Sequence, residues 1–240
     1  MDEPSSWSWP KDPTALEALQ RRLAAAADDA EPWDPGATEA IPSLTVTAVF
    51  AAFPRGEGGP GGAGQAVVAA AVLWRSGRLL DRHVVRGVSG GPYQAGLLAL
   101  RCGAVLEAAV RGLAGRPDLI LVDATGRDHP RRAGLALHLG ARLGLPSIGV
   151  TNRVLVAAFD EPGRERGSCT PLVVAGEAAG YAVRTRAGAR PVLAHAAWRT
   201  TPELARDVVL ALSHRWRTPL PLRAARTLAR TARAGSDQGA

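Results

Sequence analysis

The sequence contains few of the residues that crosslink a protein or anchor it in a membrane. Its 240 residues include two cysteines, Cys102 and Cys169, too few for a disulfide framework and without the C-x-x-C spacing of a zinc site. No apolar run approaches the roughly 18 residues that a membrane helix needs. The start, MDEPSSWSWP, is acidic and lacks the basic-then-apolar pattern of a signal peptide. We therefore expect reduced thiols and a soluble, cytoplasmic protein with no membrane partner.

Lysine is almost absent, although the chain is basic. Lys11 is the single lysine, and the other 28 basic residues are arginines, which give a net charge of +7. A GC-rich coding bias explains such a composition as well as an anionic partner does. The distribution is more informative, because residues 213–233 contain six arginines and no acid. This stretch either follows the phosphates of a nucleic acid or is a solvated tail.

Hydrophobic residues make up 46% of the chain, enough to bury a core in a single domain. Leucines at helical spacing predict an amino-terminal helix. Apolar, β-branched runs predict strands. Two short strands that flank a helix predict a parallel pair. The predicted strands are residues 44–53, 66–74, 78–88, 118–123, 146–150, 181–186 and 191–195, and the later helices are residues 96–113, 132–143 and 201–215. Together they predict an α/β fold in which helices flank a mixed β-sheet.

Asp123 is the position with the clearest chemical content. It ends a short apolar strand, and the carboxyl ends of strands are where open α/β sheets bind ligands. The sequence His-Pro-Arg-Arg follows at residues 129–132, where the next helix is predicted to open. Helix-start amides and two arginines would form an anion site. The alternative is that Asp123 caps a turn and that Arg131 and Arg132 are surface charges.

The segment VDATGRDHPRRAGLALHLGARLGLPSIGV is similar to the core of endonuclease V. Four further segments match that family in order: PYQAGLLALR at 92–101, RGSCTPLV at 166–173, RTRAGARPV at 184–192 and RTPLPLRAAR at 217–226. The resemblance implies a ribonuclease H-like fold and cleavage of DNA or RNA near inosine, the product of adenine deamination. We expect three parts: an amino-terminal helix and arm over residues 1–36, the endonuclease V-like domain over 37–226 and a flexible tail over 227–240.

The resemblance also implies a catalytic site in which acidic residues hold Mg²⁺ beside a phosphate. Of the five family positions, only Asp123 is kept. Phe50, Cys102, Asn152 and Trp198 occupy the others. One carboxylate does not make a dedicated Mg²⁺ site. We therefore expect weak metal binding or none at Asp123, and no cofactor, with Mg²⁺ required if any activity remains. Asp128 and His195 are the other side chains considered as replacements.

The family's binding surface is better kept than its catalytic site. Pro92, Tyr93 and Gly96 match a segment that acts as a wedge, and Tyr93 would stack on a base. The loop beside the extruded inosine is matched by Gly126, His129, Pro130, Arg131 and Arg132, and Arg199 is kept from a later segment.

Three hypotheses follow. The first is a non-catalytic relative that binds DNA or RNA and recognises inosine. The second is an active endonuclease of DNA repair with a rebuilt site. The third is a module that has kept the fold and binds a protein partner instead.

Overall fold

Eight strands form one mixed sheet in the computed structural model, which describes residues 7–54 and 61–237. The strand order is β3-β2-β1-β4-β5-β8-β7-β6, with β1, β4 and β5 parallel and every other neighbouring pair antiparallel. The strands are β1 (Val46–Ala52), β2 (Ala66–Arg75), β3 (Arg78–Val88), β4 (Leu119–Val122), β5 (Ser147–Thr151), β6 (Cys169–Val174), β7 (Glu177–Val183) and β8 (Val192–Ala196). The predicted α/β fold with a mixed sheet flanked by helices is confirmed.

Helices cover both faces of this sheet. They are α1 (Pro13–Asp29), α2 (Leu98–Arg111), α3 (Leu135–Leu143), α4 (Pro202–Leu212) and α5 (Leu220–Asp237), with a short 3₁₀ helix at Thr38–Ser43. The Asp12 side chain caps α1 by accepting a hydrogen bond from the Ala15 N–H at 2.8 Å. One core lies under α1, α2 and α3, and a second lies under α4 and α5. Side chains alternate between the two faces of β1, so this strand contributes to both cores.

The parallel strands place the site. β4 is the sequence Leu-Ile-Leu-Val, buried on both faces and paired with β1 on one side and β5 on the other. Residues that follow β4 and β5 therefore meet at one edge of the sheet. Asp123 lies at this edge, directly after β4.

The carboxyl-terminal segment differs from the prediction. A flexible tail was expected from residue 227, but α5 continues to Asp237 and its Ala229 is fully buried. Leu222, Ala225 and Ala229 recur at helical spacing and pack on β1 and β2, which explains why this arginine-rich segment is ordered as a helix. None of the helices in the described part of the chain is long and apolar enough to cross a membrane.

Candidate functional site

Asp123 is held by an arginine of α5. The Arg226 guanidinium donates two hydrogen bonds to its carboxylate, from Nη2 to Oδ1 at 2.9 Å and from Nε to Oδ2 at 3.3 Å. Both side chains are mostly buried, with exposed fractions of 22% for Asp123 and 18% for Arg226. A two-point contact of this kind directs a guanidinium at both carboxylate oxygens. The carboxylate of Asp123 therefore already has a cationic partner from the protein itself.

Phe50 and Cys102 lie close to Asp123. All three residues line one cavity of about 250 Å³, which we call the Phe50 cavity. The Phe50 ring packs against α5, with the guanidinium carbons of Arg226 and Arg230 at 5.7 and 5.3 Å from its centroid. Cys102 is buried on α2, and burial raises the pKa of its thiol to about 12. The cavity wall therefore presents an aromatic ring and a neutral thiol.

These residues do not fit a Mg²⁺ ion. Mg²⁺ requires oxygen ligands in near-octahedral geometry, and neither a phenyl ring nor a neutral thiol supplies one. The one remaining carboxylate, that of Asp123, has both oxygens on Arg226. Over residues 7–54 and 61–237, no three side chains of the types His, Cys, Asp and Glu are grouped so that they could hold a metal ion.

A second cavity of about 280 Å³ adjoins the first, and Asp123 lines both. We call it the Tyr93 cavity, because Tyr93 stands at its wall with 53% of its surface exposed. The opposite wall is formed by the end of β5 and the segment after it, with Thr151 and Leu155. The volume is at the low end of the range for small-ligand sites, about 300 to 1,000 Å³. Its size and its aromatic rim suit one planar ring system.

Gly96 and His129 also line the Tyr93 cavity. Gly96 has a positive φ of 80°, a conformation that a residue with a side chain adopts at a cost. Its carbonyl oxygen accepts hydrogen bonds from His129 Nε2 at 2.9 Å and Gln20 Nε2 at 3.0 Å. Burial lowers the pKa of His129 to about 4, so the ring is neutral near pH 7. The structure brings these two predicted residues together with Asp123 and Tyr93.

The predicted start of the helix at residue 132 is wrong. Helix α3 begins at Leu135, three residues later than expected, so its first amides do not lie beside Arg131 and Arg132. Arg131 donates to Gln20 Oε1 at 2.6 Å and pairs with Glu17 of α1 at 3.5 Å. Arg132 pairs with Glu177 of β7 and with Asp28 of α1. The two arginines tie the loop to α1 and β7.

Several predicted site residues lie outside both cavities. Trp198 packs edge-on against Trp7 with centroids 6.3 Å apart, and it lines neither cavity. Arg199 donates to the Glu31 carbonyl at 3.1 Å, in a separate depression that it shares with Arg132. The remaining four are Pro92, exposed next to Tyr93; Asn152, exposed after β5; Pro130, exposed on its loop; and Gly126, buried against the Ala196 carbonyl of β8.

Asp128 and His195 do not replace the missing metal ligands. Asp128 is fully buried, and its carboxylate accepts three backbone hydrogen bonds at 2.8 Å from Leu155, Val156 and Ala157. These bonds fix the wall of the Tyr93 cavity. His195 is also fully buried on β8, with Nε2 at 2.8 Å from Thr151 Oγ1. Asp128 thus holds Leu155, and His195 contacts Thr151, two residues that line the Tyr93 cavity.

Arg226 was missed by sequence reasoning. It lies 103 residues after Asp123, and only the packing of α5 on β1 and β2 brings the two together. The available signal was the spacing of the arginines at 223, 226, 230 and 233, which follows the helical repeat.

Comparisons with known proteins agree on one family. The sequence model of the endonuclease V family matches residues 44–227. Endonuclease V of Xanthomonas campestris pv. campestris (strain 8004) is 40% identical over 168 residues, which are 69% of this chain and 71% of that protein. The crystal structure of endonuclease V from Streptomyces avermitilis is 33% identical, covers 96% of both chains and has a TM-score of 0.83.

One structural neighbour carries a nucleic acid. The Ciona intestinalis endonuclease V was crystallised in complex with a 24mer DNA containing an inosine followed by a ribo-adenosine. It has a TM-score of 0.73, covers 92% of this chain and 98% of its own, and is 17% identical, a likeness that concerns the fold alone. The expected ribonuclease H-like fold is confirmed by these neighbours.

Proposed function

Since the chain belongs to the endonuclease V family, we propose that it is a non-catalytic member that binds DNA or RNA and receives an extruded base, inosine among them, in the Tyr93 cavity. One observation carries the proposal. The single kept carboxylate, Asp123, is paired with Arg226 and flanked by Phe50 and Cys102. Metal-assisted phosphodiester cleavage needs an ion fixed at the scissile oxygen, and this wall offers no set of oxygen ligands for one.

The Tyr93 cavity supports the binding half of the proposal. An extruded base is normally held by stacking on an aromatic side chain and by polar groups at its edge. Tyr93 offers an exposed ring, and Thr125, Thr151 and Gln94 offer polar groups on the same lining. The Ciona relative binds inosine-containing DNA, which makes inosine the first base to test.

The test uses purified full-length protein and labelled single-stranded DNA and RNA, each with and without one inosine. We expect salt-dependent binding that is tighter with inosine, and no cleavage in Mg²⁺ or Mn²⁺. A metal-dependent cut near inosine that Asp123→Ala abolishes would show an active endonuclease with a rebuilt site. Absence of salt-dependent binding at low ionic strength would instead favour a module that binds a protein partner.

A further inference from the structure

Four arginines form a row along α5. Arg223, Arg226, Arg230 and Arg233 follow one another at intervals of three, four and three residues, so they project from one side of the helix. At 1.5 Å per residue the row is about 15 Å long. We call it the α5 arginine row.

The row borders the buried face of the helix. The buried residues Leu222, Ala225 and Ala229 each precede an arginine of the row by one position, about 100° around the helix axis. The arginines therefore emerge where α5 meets the sheet. This position explains how Arg230 reaches the Phe50 ring and how Arg233 donates to the Phe53 carbonyl oxygen at 2.7 Å.

Most of the positive charge of the row is not neutralised by carboxylates. Among the described residues, Arg226 is the one member of the row in an ion pair, with Asp123. Arg223 lies over the Trp216 ring at 4.1 Å, and Arg230 lies over the Phe50 ring at 5.3 Å. An aromatic face orients a guanidinium without cancelling its charge. Arg223 and Arg230 are exposed, so their charges face solvent.

Arginines on a helix surface are often only solvated, but here a second element adds basic side chains next to α5. That element is β3, on the other flank of the helix from Phe50. Arg86 of β3 donates to the Ala232 carbonyl of α5 at 3.3 Å. Arg82 of β3 lines a groove of about 530 Å³ together with Arg223 and Trp216. Trp216 is 45% exposed. An exposed aromatic ring among arginines is the arrangement that single-strand binders use to stack bases and follow phosphates.

We propose that the α5 arginine row binds the phosphate backbone of single-stranded nucleic acid. The strand passes Arg230 and then Arg226, beside the Tyr93 cavity, and reaches Arg223, which lies over Trp216. The Trp216 ring stacks a base there. Arg226 contacts Asp123, and Asp123 lines the Tyr93 cavity, so Asp123 connects the row to the cavity. This inference rests on the proposed function, because it assumes that the base in the Tyr93 cavity and the phosphates on the row belong to the same strand. It adds which residues bind the phosphates.

The experiment separates the row from the cavity by using probes that carry no inosine. Fluorescein-labelled oligo(dT) and oligo(U) are titrated with the full chain at several salt concentrations. For single strands, the slope of log K against log salt is roughly −0.7 for each phosphate contact. The double variant Arg223→Ala/Arg230→Ala is expected to reduce the magnitude of the slope by about 1.4. The double variant Arg223→Lys/Arg230→Lys is expected to keep most of the wild-type slope.

The matched control is Arg116→Ala/Arg164→Ala, which removes two exposed arginines away from the row. Arg116 precedes the opposite end of β4, and Arg164 precedes β6 at the far edge of the sheet. We expect this control to leave the slope unchanged. Equal slopes for the wild type and the row variant, or equal losses in the row variant and the control, would overturn the proposal.

The proposed function can fail separately. If oligo(dT) and oligo(U) bind through the row but inosine gives no gain, the cavity proposal is wrong and the row proposal stands. If inosine is preferred but the row variant keeps the wild-type slope, the row proposal is wrong and the cavity proposal stands.

Discussion

The guanidinium of Arg226 and the carboxylate of Asp123 meet in a two-bond ion pair between α5 and the end of β4. A fixed positive charge thus stands beside the carboxylate that the family uses for a cation. Unlike a metal ion, it is a side chain of the protein and cannot activate a bound water as a Lewis acid. The pair neutralises the charge of Asp123, and under the proposed function it stands where a metal ion would otherwise bind.

The first prediction concerns the competition between Asp123 and phosphate for Arg226. We expect Asp123→Asn to tighten the binding of single-stranded oligonucleotides, because the variant removes a negative charge and releases the guanidinium. Fluorescence anisotropy measures the change in affinity. The control for net charge is Asp160→Asn, which removes an exposed carboxylate elsewhere on the protein. A metal ligand would behave in the opposite way, with weaker binding in Mg²⁺ after the same substitution.

The second prediction concerns the metal ligands that the family resemblance implies at the positions of Phe50 and Cys102. In the triple variant Phe50→Asp/Cys102→Glu/Arg226→Ala, two carboxylates join Asp123 around the Phe50 cavity and the competing arginine is removed. We expect this variant to bind Mn²⁺ in the millimolar range by electron paramagnetic resonance, and the wild type to bind none there. Adding Asp123→Asn to the variant should abolish the binding. Equal Mn²⁺ binding by wild type and variant would contradict the account of the site.

The third prediction concerns stacking in the Tyr93 cavity. Stacking of a base on an aromatic side chain contributes about 1 to 3 kcal/mol, so Tyr93→Ala is expected to weaken oligonucleotide binding roughly 5- to 150-fold. Tyr93→Phe keeps the ring and should keep most of the affinity. Because Tyr93 is 53% exposed, both variants should melt at the wild-type temperature. Equal affinities of the Ala and Phe variants would remove Tyr93 from the interface.

The sequence predicted the elements whose apolar pattern is strong and local. The runs that became β1, β2, β4 and β5 are apolar and β-branched, and they form the central strands where burial dominates. β6 was not predicted, because Pro171 interrupts it. The structure places β6 at the edge of the sheet, where a proline can be tolerated because one side of the strand needs no ladder hydrogen bonds.

The site was predictable only in part, because some of its contacts join segments that are far apart in the sequence. Asp123 was identified because its strand and its carboxylate are adjacent in sequence. Its partner Arg226 and the wall that Asp128 fixes through Leu155 depend on contacts between distant segments. The segment His-Pro-Arg-Arg at a predicted helix start favoured Arg131 and Arg132 as ligand-binding groups, but both form ion pairs with acids on α1 and β7. Which arginine is left for a ligand is decided by tertiary packing.

The last prediction concerns acid stability. Burial lowers the pKa of His129, His138 and His195 to about 4, whereas an unfolded histidine titrates near 6.5. His138 shows the cause: Nε2 donates to the Trp7 carbonyl at 3.1 Å, and among the described residues its buried Nδ1 has no partner for a second proton. Because the unfolded chain takes up the protons first, stability is complete above about pH 6.5 and falls as the pH drops toward 4.

The free energy of unfolding falls by up to about 1.4 kcal/mol per pH unit for each histidine. Urea unfolding at pH 7.5, 6.0 and 5.0 measures this pH dependence. The His138→Gln variant should show a smaller decrease in the free energy of unfolding, because the contribution of one histidine is removed. The Gln amide can donate to the Trp7 carbonyl and does not titrate, so the variant separates protonation from the loss of the hydrogen bond. A free energy of unfolding that stays constant from pH 7.5 to 5.0 would contradict the neutral, buried state of these rings.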